Sequence, residues 1–244
     1  MRDGDIINGL VNGLAVIECF DEEHASLSIT NVAHRTGLER ATARRCLLTL
    51  HHLGYASYDG KFFRLTPRIL NLGHSYLAAT PLPRLIQPFL DELSAQIHES
   101  SSAAVLDNTE ILYIARAAHR RVMSINLGAG AHLPAYCTSM GRIMLAALPA
   151  NVASDILDRS ELIAYTAKTK ADRAAIATEL AVIAAQGFAV IDEELELGLF
   201  NPQGQTVAAL NIGAQSARAS TSHMIANFLP LMRKVQSEVR PLLR

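Results

Sequence analysis

Tryptophan is absent from this chain of 244 residues, and aromatic residues make up only 5% of it. Cysteine is scarce as well, because Cys19, Cys46 and Cys137 are the only three and lie far apart. An odd number at such spacing predicts neither a disulfide framework nor a metal site. The sequence also lacks a P-loop, a dinucleotide-binding fingerprint and a zinc motif. We therefore expect no cofactor and a protein that stays in a reducing compartment.

Long apolar runs are missing too. The stretch at 143–150 is far shorter than the roughly 20 residues that span a bilayer, and Pro149 interrupts it. The N-terminus carries Asp3 and Asp5 and no apolar run, so it does not match a secretory signal. These absences predict a cytoplasmic protein without a membrane segment.

Material for packed cores is abundant, since 50% of the residues are hydrophobic and only 18% are charged. Domains usually contain roughly 100–200 residues, so a chain of this length predicts two of them. The formal net charge of −1 neither favours nor excludes a nucleic-acid partner. The distribution of the charges is therefore more informative than their sum.

Residues 1–66 carry the pattern of a winged helix-turn-helix domain. The predicted elements are a helix over 9–20, a short helix from Ser28 to Gly37, a third helix over 39–53 and a hairpin over 55–65. Gly37 supplies the turn between the second and third helices, and Asp59-Gly60 is a strong hairpin signal. Two helices joined by a tight turn and followed by a hairpin wing are typical of DNA-binding domains.

Basic residues concentrate in this part of the chain, where 28–70 holds seven lysines and arginines against two acids. The seven are Arg35, Arg40, Arg44, Arg45, Lys61, Arg64 and Arg68. At helical spacing, the third helix has an apolar face formed by Ala43, Cys46, Leu47, Leu50 and Leu53. Ala41, Arg44, Arg45 and Leu48 fall on the opposite face.

Arginine on an exposed helix face can bind guanine edges or phosphates. We therefore expect Arg44 and Arg45, helped by Arg40 and Thr42, to contact the major groove. Lys61, near the tip of the wing, is expected to contact the DNA backbone. Two other interpretations stay open: the arginines can form an ordinary solvated face, and a winged helix can bind a protein instead of DNA. Salt dependence separates them, because phosphate contacts weaken as salt rises.

Residues 67–82 predict a connecting helix, and Pro81, Pro83 and Pro88 mark the boundary of a second domain over 83–244. Predicted strands lie at 103–106, 111–115, 122–125, 188–191 and 207–212, and predicted helices at 84–98, 138–148, 150–159, 171–186 and 221–244. This mixture predicts an α+β sensor domain.

Catalysis is not expected. The segment from Cys137 to Gly141 is faintly similar to a nucleophile elbow around Ser139, but Cys137 stands where the first glycine is required. His119 and His132 are near in sequence, yet nothing in their spacing predicts a triad.

Seven stretches carry a more specific pattern. They are GLAVIECF (13–20), SITNVAHRTGLERATARRCLLTLHHLGY (28–55), FFRLTPRILNLGHSYL (62–77), YIAR (113–116), LPAYCTSMGRIMLAALP (133–149), GFAVIDEE (187–194) and VAALNIGA (207–214). Together they resemble the IclR family of bacterial regulators over essentially the whole chain. The resemblance implies a GAF-like effector-binding domain whose ligand lies against a central sheet.

Carried over position by position, the resemblance implies the pocket residues Gly128, Pro134, Thr138, Ser139, Asp192 and Asn211. Arg116 can add a charge-assisted contact to a carboxylate, and Arg121 is a second candidate for that role. Plainer roles stay open, because Thr138 or Ser139 can be only a helix cap and Arg116 an exposed residue on an edge strand.

ERATARR (39–45) and LPAYCTSMGR (133–142) resemble the branch that controls aromatic-acid breakdown, the PcaR and PobR type. That resemblance implies a small aromatic or dicarboxylic acid effector, such as protocatechuate, 4-hydroxybenzoate, β-ketoadipate or muconate. It also implies a homodimer, or a dimer of dimers, on a palindromic promoter site. The connecting helix would then transmit the effector state by changing the separation of the paired DNA-binding domains.

One departure from the family is plain. After 196–199 the family has an apolar strand that contributes to the pocket and ends in a turn, whereas here Phe200 leads directly into the turn at 201–204. Two explanations stay open, a deletion of the strand or residues missing from the sequence as given. If the strand is truly absent, we expect one edge of the sheet and part of the effector pocket to be compromised.

Overall fold

The structure is a computed structural model that describes residues 5–21, 23–79, 81–118, 128–191, 194–214 and 220–243. The chain divides into two compact units, residues 1–79 and 80–244. The N-terminal helical unit and the C-terminal α+β unit confirm the expected fold class.

The N-terminal unit contains three helices and a hairpin. Its elements are α1 (Asn8–Glu18), α2 (Ile29–Thr36), α3 (Arg40–His52), β1 (Ala56–Tyr58) and β2 (Phe63–Leu65). A capping box begins α2, because Ser28 and Asn31 each bind the other's backbone N–H. The helix ends at Gly37, whose φ of 68° is the left-handed conformation that glycine adopts without strain. The helix-turn-helix expected from the sequence is therefore present.

The hairpin pairs Ala56 with Leu65 and Tyr58 with Phe63. Its turn is held by Asp59, whose carboxylate accepts hydrogen bonds from the backbone N–H groups of Lys61 and Phe62. These bonds lower the pKa of Asp59, since they favour its charged form. Its side chain fixes the shape of the wing.

The sequence placed two residues of α3 on the wrong face. Leu53 was expected on the apolar face but is 47% exposed, whereas Leu48 was expected opposite and packs partly against the core. In the first helix, the apolar residues Leu10 and Leu14 are exposed, and Val16 is the residue that it buries. A helix of a small three-helix core contacts its neighbours along a narrow stripe, so periodicity alone does not fix which apolar residues are covered.

A 3-10 turn (Pro67–Ile69) leads into α4 (Leu70–Ala79). Pro67 is accommodated at the start of this turn, where its missing N–H has no helical partner to lose. The connecting segment thus begins with a turn rather than a continuous helix.

The C-terminal unit is built around one antiparallel sheet. Its strands are β3 (Ser100–Asp107), β4 (Glu110–Ala117), β5 (His132–Pro134), β6 (Ala189–Ile191), β7 (Glu194–Phe200) and β8 (Thr206–Gly213), in the order β5-β4-β3-β8-β7-β6. Its helices are α5 (Leu82–Ile97), α6 (Ser139–Ala146), α7 (Ala150–Arg159), α8 (Arg173–Gln186), α9 (Thr221–His223) and α10 (Leu229–Val239). A π-helical turn (Met224–Phe228) interrupts the C-terminal helix predicted as continuous.

Each face of the sheet is covered by helices. One face packs against α5 and α10, where Ile86, Leu90 and Met232 meet Leu210 and Ile212. The other face packs against α6, α7 and α8, through residues that include Met140, Ile156, Ile176, Ala104 and Ala209. The sheet is therefore the middle layer of three, and side chains on its second face lie beneath α6.

The strand at 194–200 was missed from the sequence, and the expectation of an opened sheet edge at this point was wrong. Strand β7 pairs with β8 from Glu194↔Gly213 to Phe200↔Thr206 and with β6 on its other side. Leu195, Leu197 and Leu199 alternate along it and are buried, which is the period of a strand. The predicted strand at 122–125 lies outside the described residues.

Candidate DNA-binding surface and effector site

The exposed side of α3 carries the residues predicted to contact DNA. Arg40, Arg44 and Arg45 are exposed, and Thr42 is half-buried beside Arg45, whose Nη2 donates to its hydroxyl over 3.3 Å. Lys61 is exposed on the wing, with its ammonium 5.0 Å from the centre of the Phe62 ring. Helix and wing of this unit thus present five side chains suited to a nucleic acid.

Other basic residues of the 28–70 cluster have structural roles. Arg35 donates to the carbonyl of Cys19 and forms an ion pair of 2.6 Å with Asp21. Arg68 lies over the Tyr55 ring, 5.3 Å from its centre. The positive surface is therefore narrower than the charge count indicates, and it centres on α3 and the wing.

The second site is a polar row across the sheet, formed by Arg116, Ser102, Asn211 and Glu196. Arg116 of β4 faces Ser102 of β3, Ser102 also faces Asn211 of β8, and Asn211 faces Glu196 of β7. Directly opposed residues share a face, and this face is the one beneath α6, because Ala104 and Ala209 lie two residues away on the same strands. Four strands thus place four polar side chains in one line.

Hydrogen bonds link the members of this polar row. The Nη1 of Arg116 lies 3.5 Å from the Ser102 hydroxyl, and the Nδ2 of Asn211 donates to Glu196 Oε1 over 2.6 Å. Ser139, the first residue of α6, donates to the carboxylate of Glu194, two residues before Glu196 on β7. Helix α6 is therefore bonded to β7 directly beside the polar row.

Burial dominates the electrostatics of the site. Glu196 is fully buried, which raises the pKa of its carboxyl well above the usual range, and the charge of Glu194 raises it further. Ser139 and Asn211 oppose that shift without cancelling it. Burial also raises the pKa of Tyr113, and Glu194 adds to the shift. The site thus favours the neutral form of Glu196 over its charged form.

Two of the predicted pocket residues, Arg116 and Asn211, belong to this polar row, and a third, Ser139, lies beside it through its hydrogen bond to Glu194. Thr138 is the N-cap of α6, since its hydroxyl donates to the Pro134 carbonyl and accepts from the backbone N–H of Gly141. Pro134 is the last residue of β5, and its carbonyl accepts the hydrogen bond from Thr138.

Gly128 is exposed and begins a turn that returns to β4. Asp192 and Arg121 lie outside the described residues.

Gly141 has a structural role in the segment that is similar to a nucleophile elbow. A Cβ on Gly141 would stand 2.1 Å from the carbonyl oxygen of Ala135, so only glycine allows this close approach. The next residue, Arg142, is buried; it donates to the Tyr136 carbonyl and forms an ion pair of 2.6 Å with Glu179. The segment anchors α6 against the preceding loop and so positions Ser139.

Sequence reasoning missed Ser102, Glu194 and Glu196. The two glutamates alternate with leucines along β7, and this alternation was the available signal for a strand with one polar face. Ser102 lies in a run of three serines that gives no sign of which one faces the ligand side.

Within the described part of the chain, no helix is both long and apolar enough to cross a membrane. Over the same residues, no cluster of three potential metal ligands is found.

A winged helix-turn-helix unit joined to a sheet with a buried polar row defines a ligand-responsive transcription regulator. The IclR helix-turn-helix domain matches residues 9–60, and the bacterial transcriptional regulator IclR C-terminal domain matches residues 74–240. The chain belongs to the IclR family of bacterial transcriptional regulators, and it is not an enzyme.

Relatives at higher identity point to one branch of that family. The Pca regulon regulatory protein of Pseudomonas putida is 43% identical over 238 residues, which cover 94% of this chain and 82% of that protein. The crystal structure of a transcriptional regulator from Rhodococcus sp. RHA1 is similar with a TM-score of 0.82 and 38% identity, covering 96% of this chain and 97% of that one.

A third comparison concerns the C-terminal unit alone. A double mutant of the PobR inducer-binding domain from Acinetobacter, in complex with 3-hydroxybenzoic acid, has a TM-score of 0.63 and 28% identity. The similarity covers 66% of this chain and 98% of the PobR domain chain. Together these similarities support the aromatic-acid branch.

Proposed function

We propose that this protein regulates genes for the breakdown of aromatic acids by binding a palindromic operator. Arg44 and Arg45 read or grip the major groove, helped by Arg40 and Thr42, while Lys61 holds the backbone beside it. Their exposure on one helix and one wing supports this assignment.

We further propose that the effector is a small acid bound at the polar row. The main support is the alignment of four polar side chains on the sheet face beneath α6: Arg116, Ser102, Asn211 and Glu196. In addition, the similar PobR inducer-binding domain was crystallised in complex with 3-hydroxybenzoic acid. Arg116 supplies the cation for the carboxylate. The other candidates for effector contacts are those that the family resemblance implies: Gly128, Pro134, Thr138, Ser139 and Asp192.

The functional boundaries that we propose are 1–66 for DNA binding, 67–82 for transmission and 83–244 for effector binding. A homodimer, or a dimer of dimers, matches a palindromic site because each half-site then receives one winged domain. Since its target is chromosomal DNA, the protein acts in the bacterial cytoplasm.

The test is a fluorescence-anisotropy titration of the promoter beside the protein's own gene, at two salt concentrations, with and without protocatechuate. We expect tight binding that weakens steeply with salt and shifts when the acid is added. DNA binding that no aromatic or dicarboxylic acid changes would refute the effector assignment but not the DNA-binding assignment. A salt-insensitive contact with a protein, and none with DNA, would favour the alternative in which the winged domain binds a protein.

A further inference from the structure

A carboxyl oxygen of Glu196 in the C-terminal unit is buried without a hydrogen-bond partner among the described residues. Glu196 is 0% exposed, and its Oε1 accepts the hydrogen bond from Asn211. Its Oε2 is also buried, and no described residue forms a hydrogen bond with it. A buried polar atom without a partner is costly, so its retention beside a candidate ligand site indicates that a ligand completes it.

The two ends of the polar row differ in exposure and charge. Arg116 is half-buried, whereas Ser102, Asn211 and Glu196 are buried. A ligand carboxylate loses least hydration at the guanidinium of Arg116, and it is attracted there. At the other end, the charge of Glu194 beside Glu196 would repel an anion. An uncharged polar group is therefore the one that suits the Glu196 end.

The length of the polar row limits the ligand. Neighbouring strands lie about 4.8 Å apart, and the guanidinium of Arg116 already reaches the hydroxyl of Ser102 on the next strand. Glu196 likewise reaches Asn211 on its neighbour. One strand spacing separates Ser102 from Asn211, and contacts of 3.5 Å and 2.6 Å join them to the guanidinium and to the carboxyl, so these two groups lie at most roughly 11 Å apart. A benzene ring with a carboxylate and a hydroxyl, plus one hydrogen bond at each end, spans a similar length.

We propose that Glu196 is a specificity residue that hydrogen-bonds a ring hydroxyl of the effector while Arg116 binds its carboxylate. This inference rests on the proposed function and narrows it: the ligand is a hydroxylated aromatic acid, and dicarboxylic acids are rejected. Discrimination arises because an analogue without the hydroxyl leaves Glu196 Oε2 unpartnered in the complex.

The experiment measures, by calorimetry on the full-length protein, the dissociation constants of 3-hydroxybenzoate, benzoate, phenol and adipate. Wild type is expected to bind 3-hydroxybenzoate at least about tenfold tighter than benzoate or adipate. Glu196→Leu is expected to weaken 3-hydroxybenzoate about tenfold and to leave benzoate unchanged, so that the preference disappears. Glu196→Gln keeps a polar group at the same place and is expected to restore most of it.

Arg116→Met tests the carboxylate contact rather than the hydroxyl contact. Both aromatic acids are expected to weaken by a similar factor of about ten, while phenol, which has no carboxylate, is unaffected. A Glu196→Leu protein that still prefers 3-hydroxybenzoate would overturn the inference. Equal binding of benzoate and 3-hydroxybenzoate by wild type would overturn it without needing the variant.

The failure of the inference and that of the proposed function are distinguishable. If wild type binds none of the acids, the proposed effector class is wrong, and the inference fails with it. If the acids bind and shift operator affinity without discriminating the hydroxyl, the proposed function stands and the role of Glu196 is refuted.

Discussion

The side-chain amide of Asn211 donates a hydrogen bond of 2.6 Å to a Glu196 carboxyl that is completely buried. The two residues oppose each other on β8 and β7, in the middle of the sheet. Burial raises the pKa of Glu196, and Glu194 on the same strand adds to the shift. The folded protein therefore binds a proton at Glu196 that the unfolded chain releases at lower pH.

A consequence is that Glu196 makes folding pH-dependent. A carboxyl with a raised folded pKa contributes stability that is complete below its unfolded value near 4.5 and is lost as pH rises through the folded value. Glu196→Gln carries no such proton, so it should be more stable than wild type at pH 8. In the window between the two values the gap should widen by up to about 1.4 kcal/mol per pH unit. Thermal unfolding at pH 5 and pH 8 measures it.

The matched control for that experiment is Glu161→Gln, which changes an exposed carboxyl of the same unit. Its stability difference from wild type should stay within about 0.5 kcal/mol at both pH values. A Glu196→Gln protein with the same difference at pH 5 and pH 8 would contradict a raised pKa of the Glu196 carboxyl.

Two ion pairs of equal length should contribute very differently to stability. Arg142 and Glu179 lie 2.6 Å apart with side chains 4% and 18% exposed, while Arg173 and Asp158 lie 2.6 Å apart at 48% and 55%. Arg142→Met should cost about 3 kcal/mol of unfolding free energy, because it leaves the Tyr136 carbonyl without its donor and Glu179 with only Lys170 as a cation. Arg173→Met should cost less than about 1 kcal/mol. Equal losses in chemical denaturation would show that burial does not govern these pairs.

Gly141 provides a steric test of how α6 is anchored. Gly141→Ala places a Cβ 2.1 Å from a backbone oxygen of Ala135, so it should destabilise the fold by about 3 kcal/mol or more. Gly213→Ala is the control, since its Cβ would meet no atom within 4 Å. Urea unfolding compares the two, and a Gly141→Ala protein as stable as Gly213→Ala would refute the close approach.

On the DNA side, Arg44→Ala and Arg45→Ala should each weaken operator binding by about 1–3 kcal/mol if they contact bases. Lys61→Ala should weaken all sequences alike and reduce the slope of affinity against salt by about one. Arg233→Ala removes one positive charge from the exposed side of α10. It should change neither the operator affinity nor its dependence on salt. Unchanged operator affinity in both α3 variants would disprove the assignment of that face.

The sequence predicted the elements whose signals are local. The turn at Gly37 and the wing around Asp59 follow from residues that dictate backbone conformation at their own positions. The fold class follows from the order of those elements together with the family resemblance. Long-range pairing was not visible, so β7 was absent from the predicted strands and its two inward glutamates were overlooked.

The candidate site illustrates the same limit. Arg116, Ser139 and Asn211 were named from chemistry or resemblance, yet nothing in the sequence says that Ser102 and Glu196 complete their line. A row across four strands depends on register, and register is set by the packing of both faces of the sheet. Thr138 shows the converse, because a hydroxyl expected in the pocket is used to cap α6.

The most direct test of the account is the shift in operator affinity that 3-hydroxybenzoate produces in wild type and in Arg116→Met. The polar row is claimed to sense the acid without touching DNA. Both proteins are therefore expected to bind the operator equally when no acid is present, and only wild type is expected to respond at low acid concentration. An Arg116→Met protein that responds to the acid with wild-type sensitivity would contradict it.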